Sequence, residues 1–244
     1  MGKIGYGYGS EWHLLRYLGY HRTYLSKKIL EITGGDSIDW LDFNFSNTNK
    51  PLQDDKELCG LDFIKNKDVQ EQWKGFWPQR GTGQNWDAVG NIFYENKNQH
   101  DRLLIEAKGH LGEIESSCGA KSQRSKDKIL TAFRRASQAF GNQDNPVENW
   151  LKPYYQFANR LAVLYFLMNE CDPPVTTRLL FIYFCGEKRE RLECPETDQE
   201  WYLAIDAMKT HLGIDNTCGL LKRVHYLFLP VNPYAEGDRL TTKQ

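Results

Sequence analysis

The chain has no run of some 18 consecutive apolar residues, so nothing in it reads as a helix able to cross a bilayer. Its first residues lack the apolar segment and cleavage site of a secretory signal, and the expectation is a cytoplasmic protein with no membrane partner. An excess of one charge is also missing. The 31 Lys and Arg against 32 Asp and Glu leave a formal net charge of −1, which gives no global pull toward nucleic acid. Such a partner would have to be met by a locally basic face. The six cysteines, Cys59, Cys118, Cys171, Cys185, Cys194 and Cys218, form no C-x-x-C pair and have no histidines at zinc-site spacing. They are expected to be reduced thiols that mostly pack. No internal repeat or low-complexity tract stands out.

What is there fits one soluble globular domain. At 244 residues, with 40% hydrophobic and 13% aromatic content, the chain can bury roughly 70–75% of its unfolded surface. A single domain over 1–244 is expected, with an insertion at about 36–78. Ser10 can cap a helix that runs through about Glu31, with Leu14, Leu15, Leu18, Leu25 and Ile29 as its apolar set and Gly34-Gly35 ending it. The opening Gly5 to Gly9 reads as a flexible lead. Ile38 to Phe45 has the partial alternation of a strand, Ser46 to Glu57 is loop-like, and Val69 to Trp77 reads as a short helix.

The informative stretch is Asn85-Trp86-Asp87-Ala88-Val89-Gly90, then a polar run from Asn96 to Asp101, then Leu103-Leu104-Ile105-Glu106-Ala107-Lys108-Gly109-His110. Strand periodicity puts Leu103, Ile105 and Ala107 on one side and Leu104, Glu106 and Lys108 on the other. An antiparallel hairpin then brings Asp87 beside Glu106, and Lys108 points to the same spot. Two adjacent carboxylates repel, and a divalent cation is one way to keep both ionised. A plainer account is a surface hairpin with an exposed Glu106–Lys108 pair worth about 0–1 kcal/mol. The apolar run Leu103-Leu104-Ile105 argues instead for a strand buried on both faces, where lone charges are costly.

After His110 comes a basic segment. Lys121, Arg124, Lys128 and Arg135 fall on one helical face and Ile129, Phe133, Ala136 and Phe140 on another. The cationic stripe is either a solvated face or a contact for nucleic-acid phosphates. Asn145 is placed to cap the next helix, with Pro146 at its first position and Glu148 three after the cap, and Pro153 to kink or restart it before Tyr154 to Met168. On that apolar helix Gln156 and Arg160 lie one turn apart, so they either cap a neighbouring backbone or face the cleft. Arg178 to Cys185 and Val224 to Leu229 read as buried strands flanking a helix from about Asp198 to His211. Lys188, Arg189 and Arg191 make a basic turn between them. The alternation of helices and strands argues a three-layer α/β/α domain around a central mixed sheet. Glycine-bearing Arg80 to Gln84 lets backbone approach a phosphate or is a plain loop.

Asp87, Glu106 and Lys108 resemble the Asp…Glu-x-Lys signature of the PD-(D/E)XK nuclease superfamily, with Trp86 standing where that signature has proline. The resemblance covers Asn85 to His110. It implies a restriction-endonuclease-like core and Mg²⁺-dependent hydrolysis of DNA phosphodiester bonds, with Mn²⁺ able to substitute. It implies Asp87 and Glu106 as metal ligands, with the Ala107 carbonyl as a further candidate, and Lys108 as the group handling water or transition-state charge. Glu11 would complete the metal shell by the same resemblance, although a carboxylate in a first helical turn also simply complements the helix dipole. Gln156 and Arg160 would support the site by the same resemblance, and a homodimer is compatible with it; His110 shares the strand parity of Glu106 and Lys108 and is a further candidate to reach substrate. Two other readings stay open: the same fold binding nucleic acid without catalysis, and an α/β protein that binds something else, with the motif a surface accident. A cysteine hydrolase is remoter, since no cysteine has a recognisable nucleophile context.

Overall fold

The computed structural model describes residues 8–41, 58–79, 84–96, 99–142 and 144–232. Expectations for Gly5 to Gly7, for 42–57, for Arg80 to Gly83 and for the tail beyond 232 lie outside the described residues.

Five strands form the central sheet: β1 (Ser37–Trp40), β4 (Ala88–Phe93), β5 (Asp101–Lys108), β6 (Thr177–Cys185) and β7 (Val224–Pro230), in the order β1-β4-β5-β6-β7. β1, β4 and β5 are successively antiparallel, while β5, β6 and β7 are parallel, so the sheet is mixed. A two-residue ladder, β2 (Leu58–Cys59) with β3 (Asn85–Trp86), stands apart from it.

Helices flank both faces, because β5 and β6 are apolar on both sides and each side needs a cover. Leu103, Ile105 and Ala107 pack with Leu14, Leu18, Leu25 and Ile29 from α1 (Ser10–Gly19) and α2 (Arg22–Thr33). Leu104 joins the opposite core, with Ile129, Phe133 and Ala136 of α4 (Gln123–Ala139), Leu161 and Leu164 of α5 (Tyr155–Tyr165) and Trp201 of α6 (Asp198–Leu212). Val69 and Trp73 of α3 (Lys67–Phe76) close the same side. Each such Leu or Ile side chain, fully buried, contributes on the order of 1.5–3 kcal/mol. No helix among the described residues is long and apolar enough to cross a membrane, and none of the six cysteines is bonded to another.

Three local expectations are corrected. The first helix is two helices, and Ser10 lies inside α1, with Gly9 as the capping position at φ 87° and no side-chain cap. The break falls after Gly19, a poor helix former, and Arg22 Nε takes the Leu18 carbonyl left without a helical partner (2.6 Å). Leu15, counted with the apolar set, faces solvent. Asn145 caps no α-helix. A 3-10 turn over Val147–Leu151 follows it instead, and its side-chain amide donates to the carbonyls of Thr210 and His211 (3.1 and 3.3 Å) at the end of α6. Trp150, fully buried, does the same to Leu212 (2.9 Å). Satisfying the α6 carbonyls and burying that indole outweighs a local cap. α3 starts earlier than its periodicity suggests because Asn66 caps it, its side chain accepting from Asp68 and Val69.

Candidate active site

The site lies where β4 meets β5. Ala88 pairs with Ile105, so the next position of the register sets Asp87 against Glu106. The Asp87 N–H still donates to the Ile105 carbonyl (3.2 Å). The ladder breaks there because Trp86 has turned away to pair with Leu58 in β2, and the Asp87 carboxylate fills the gap: its Oδ2 accepts the Ala107 N–H (2.6 Å). Strand parity does the rest, leaving Glu106 and Lys108 on the side of α5.

Asp87, Glu106, Lys108, Glu11, Gln156 and Arg160 line one cavity of about 560 Å³. Lys108 Nζ donates to Glu106 Oε1 (2.5 Å) and Gln156 Oε1 (2.9 Å). Arg160 donates to Glu106 Oε2 from Nε (2.9 Å) and lies 2.7 Å from it through its second amino group. That guanidinium also bonds Asn159 Oδ1 (2.8 Å) and the Asn85 carbonyl (2.5 Å), and it sits over the Trp86 ring at 4.7 Å. Gln156 and Arg160 therefore face the cleft. Asn159, on the same α5 stripe, belongs with them and was discoverable by the same reasoning.

Other expected residues lie elsewhere. His110 does not line the cavity; β5 has ended, and its Nε2 is 3.4 Å from Glu113 Oε1 in the 3-10 turn Leu111–Glu113. None of the four basic residues lines it either. Lys121 precedes α4, Arg124 is exposed on its first turn, Lys128 Nζ donates to the Lys74 carbonyl (2.5 Å) and Arg135 pairs with Glu170. Cations on a helix surface find such partners when an element packed alongside supplies an oxygen. Sequence reasoning missed Glu113 and Gln84 as lining residues. Glu113 accepts the Gly109 N–H (2.6 Å) in a turn with no spacing signature.

The two carboxylates live in different electrostatic settings. Burial alone would push Glu106 up, but the Arg160 guanidinium and then the Lys108 ammonium outweigh it and hold the carboxyl below its usual range. Asp87 is pushed up to about 7, first by burial and then by the Glu106 charge, only partly offset by the Ala107 N–H, Lys108 and Arg160. Both nearby cations hydrogen-bond Glu106, so Asp87 lacks one of its own. That is the imbalance a hard divalent cation removes. No three Asp, Glu, His or Cys side chains among the described residues converge enough to enclose an ion. Glu11 thus shares the cavity without completing a three-ligand cluster. Two carboxylates suffice for Mg²⁺, which keeps several waters and draws on substrate oxygens.

The Asp87 shift has a sign that can be checked. A carboxyl with a folded-state pKa near 7 and an ordinary value of 3.8 favours the folded state at low pH, and that contribution is lost as pH climbs between those values. In chelator, the melting temperature should fall from pH 4 to 8 more steeply for wild type than for Asp87→Asn, and Mg²⁺ should restore wild type most at pH 8. Superimposable melting profiles of the two proteins would set this account aside.

No protein-family model matches the chain, and no curated protein or solved structure does so.

Proposed function

We propose that the protein is a Mg²⁺-dependent nuclease that hydrolyses DNA phosphodiester bonds, a member of the PD-(D/E)XK superfamily on a restriction-endonuclease-like α/β/α core. The observation that carries this is the register that sets Asp87 against Glu106, with Lys108 beside them on the floor of one cavity. Asp87 and Glu106 hold the cation, with the Ala107 carbonyl as the backbone candidate beside them. Once bound, the ion supplies positive charge that polarises the phosphoryl group and acidifies water, and Mn²⁺ substitutes for it. Lys108, pinned between Glu106 and Gln156, orients water or offsets charge growing on the phosphorane. Arg160 keeps Glu106 ionised. Trp86, in the place of the signature proline, serves the site differently, since its indole donates to the Gly60 carbonyl (2.9 Å) and its face carries Arg160.

Supercoiled and linear DNA, and RNA, incubated with Mg²⁺, Mn²⁺ or chelator, test the reading. Metal-dependent nicking that disappears in Asp87→Ala and Glu106→Ala variants still folded at the assay temperature is the expected result; a wild type that neither cuts nor binds any of these ends it. The pairing of both Glu106 oxygens with side-chain cations favours a second reading, in which the same fold binds nucleic acid without cutting. Its mark is salt-sensitive, metal-independent binding with no products.

A further inference from the structure

We propose that the site takes in one unpaired nucleobase next to the bond to be cut, that the side chain of Gln84 reads its edge, and that single-stranded nucleic acid is therefore the preferred substrate. This rests on the nuclease reading and adds a substrate class to it.

Gln84 is 4% exposed, yet neither its Nε2 nor its Oε1 has a hydrogen-bond partner among the described residues. A buried amide left unmade costs more than a made bond returns, so such a group calls for a ligand or water. Its backbone is held: its carbonyl accepts the Gly60 N–H (2.7 Å), and Asn85 beside it pairs with Cys59 in the β2–β3 ladder. The residue lies between two cavities and lines both. One is the 560 Å³ cavity of Asp87 and Glu106, and the other is a smaller space of about 250 Å³. Gln84 and Trp77 line both, and Trp73 lines the smaller one. The Trp73 and Trp77 rings lie 5.8 Å apart at 3° to each other.

An aromatic wall with a buried, unpartnered amide is the chemistry that holds an extruded base. The wall offers apolar contact or a stacking face, and the amide offers an acceptor beside donors. The Watson–Crick edge of every nucleobase presents a donor next to an acceptor, so Gln84 answers to the presence of an unpaired base more than to its letter. A space of this size admits one ring system and no helix, so the base must have left its pair. The Asp87 cavity adjoining it is where that nucleotide's phosphate would then lie.

The test separates this from the nuclease reading by measuring binding in chelator, where cutting does not interfere. Fluorescence anisotropy compares a labelled single strand, the same sequence as duplex, and a strand with equal phosphates whose sugars carry no bases. Wild type is expected to bind the single strand about tenfold or more tighter than the other two. Gln84→Leu should bring the single strand to the level of the base-free one, leave the salt dependence unaltered and not lower the melting temperature, since it removes an unpaired polar group. Gln84→Met serves if the leucine variant does not fold. Equal binding of all three ligands by wild type, or variants that discriminate as wild type does, overturns the base pocket while the nuclease reading stands. Failure of all three to bind at low salt also overturns the base pocket, and cleavage in Mg²⁺ then decides the nuclease reading by itself.

Discussion

Lys108→Met is expected to lower Mg²⁺-supported cleavage of DNA by about 10²–10⁴-fold, the range for a positioned proton-transfer or charge-stabilising group. The loss should fall on the single-turnover rate rather than on DNA affinity. Lys108 is 8% exposed in the cavity, held by Glu106 and Gln156, so on the nuclease reading it would meet the reacting phosphate and not the length of the strand. Methionine keeps the unbranched stem and removes only the charge and its three donors. Lys108→Arg should not restore the rate, because a planar fork cannot take the place of a compact ammonium between two fixed oxygens. A decrease below tenfold in Lys108→Met would make the lysine a mere counter-ion of Glu106 and would favour the non-catalytic reading.

The parts of this site that the sequence discloses are those governed by short-range periodicity. The alternation along β5 puts Glu106 and Lys108 on one side and Ile105 and Ala107 on the other, and the polar run before Asp101 places Asp87 across from Glu106. Gln156 and Arg160 are visible as polar residues on an apolar helix. What escapes is decided by partners far away in sequence. The Lys128 ammonium reaches the Lys74 carbonyl and the Asn145 amide reaches the end of α6, contacts with no local signature. The parity of His110 is misleading because the strand stops at Lys108. Gln84 reads as part of a loop approach, since its lack of a partner is a property of the packed structure alone.

Arg160→Leu is expected to cost about 3–5 kcal/mol of stability at pH 8, the usual penalty for leaving one member of a buried ion pair alone. The side chains of Arg160 and Glu106 are 3% and 2% exposed. Without the guanidinium, Glu106 keeps only Lys108 and still lies against Asp87. The pH dependence follows from the sign of the Glu106 shift. A carboxyl held below its ordinary value of 4.5 contributes stability above that value and loses it as pH falls through the folded-state value. The gap between wild type and Arg160→Leu in urea denaturation should therefore stay wide from pH 8 down to about 4.5 and narrow only below that. Adding Glu106→Gln to Arg160→Leu should recover much of the loss at pH 8, because no uncompensated charge remains. If Arg160→Leu costs less than about 1 kcal/mol at pH 8, the pair is no more than a surface-type contact. The account of Glu106 as a buried carboxylate held ionised by the Arg160 guanidinium then fails with it.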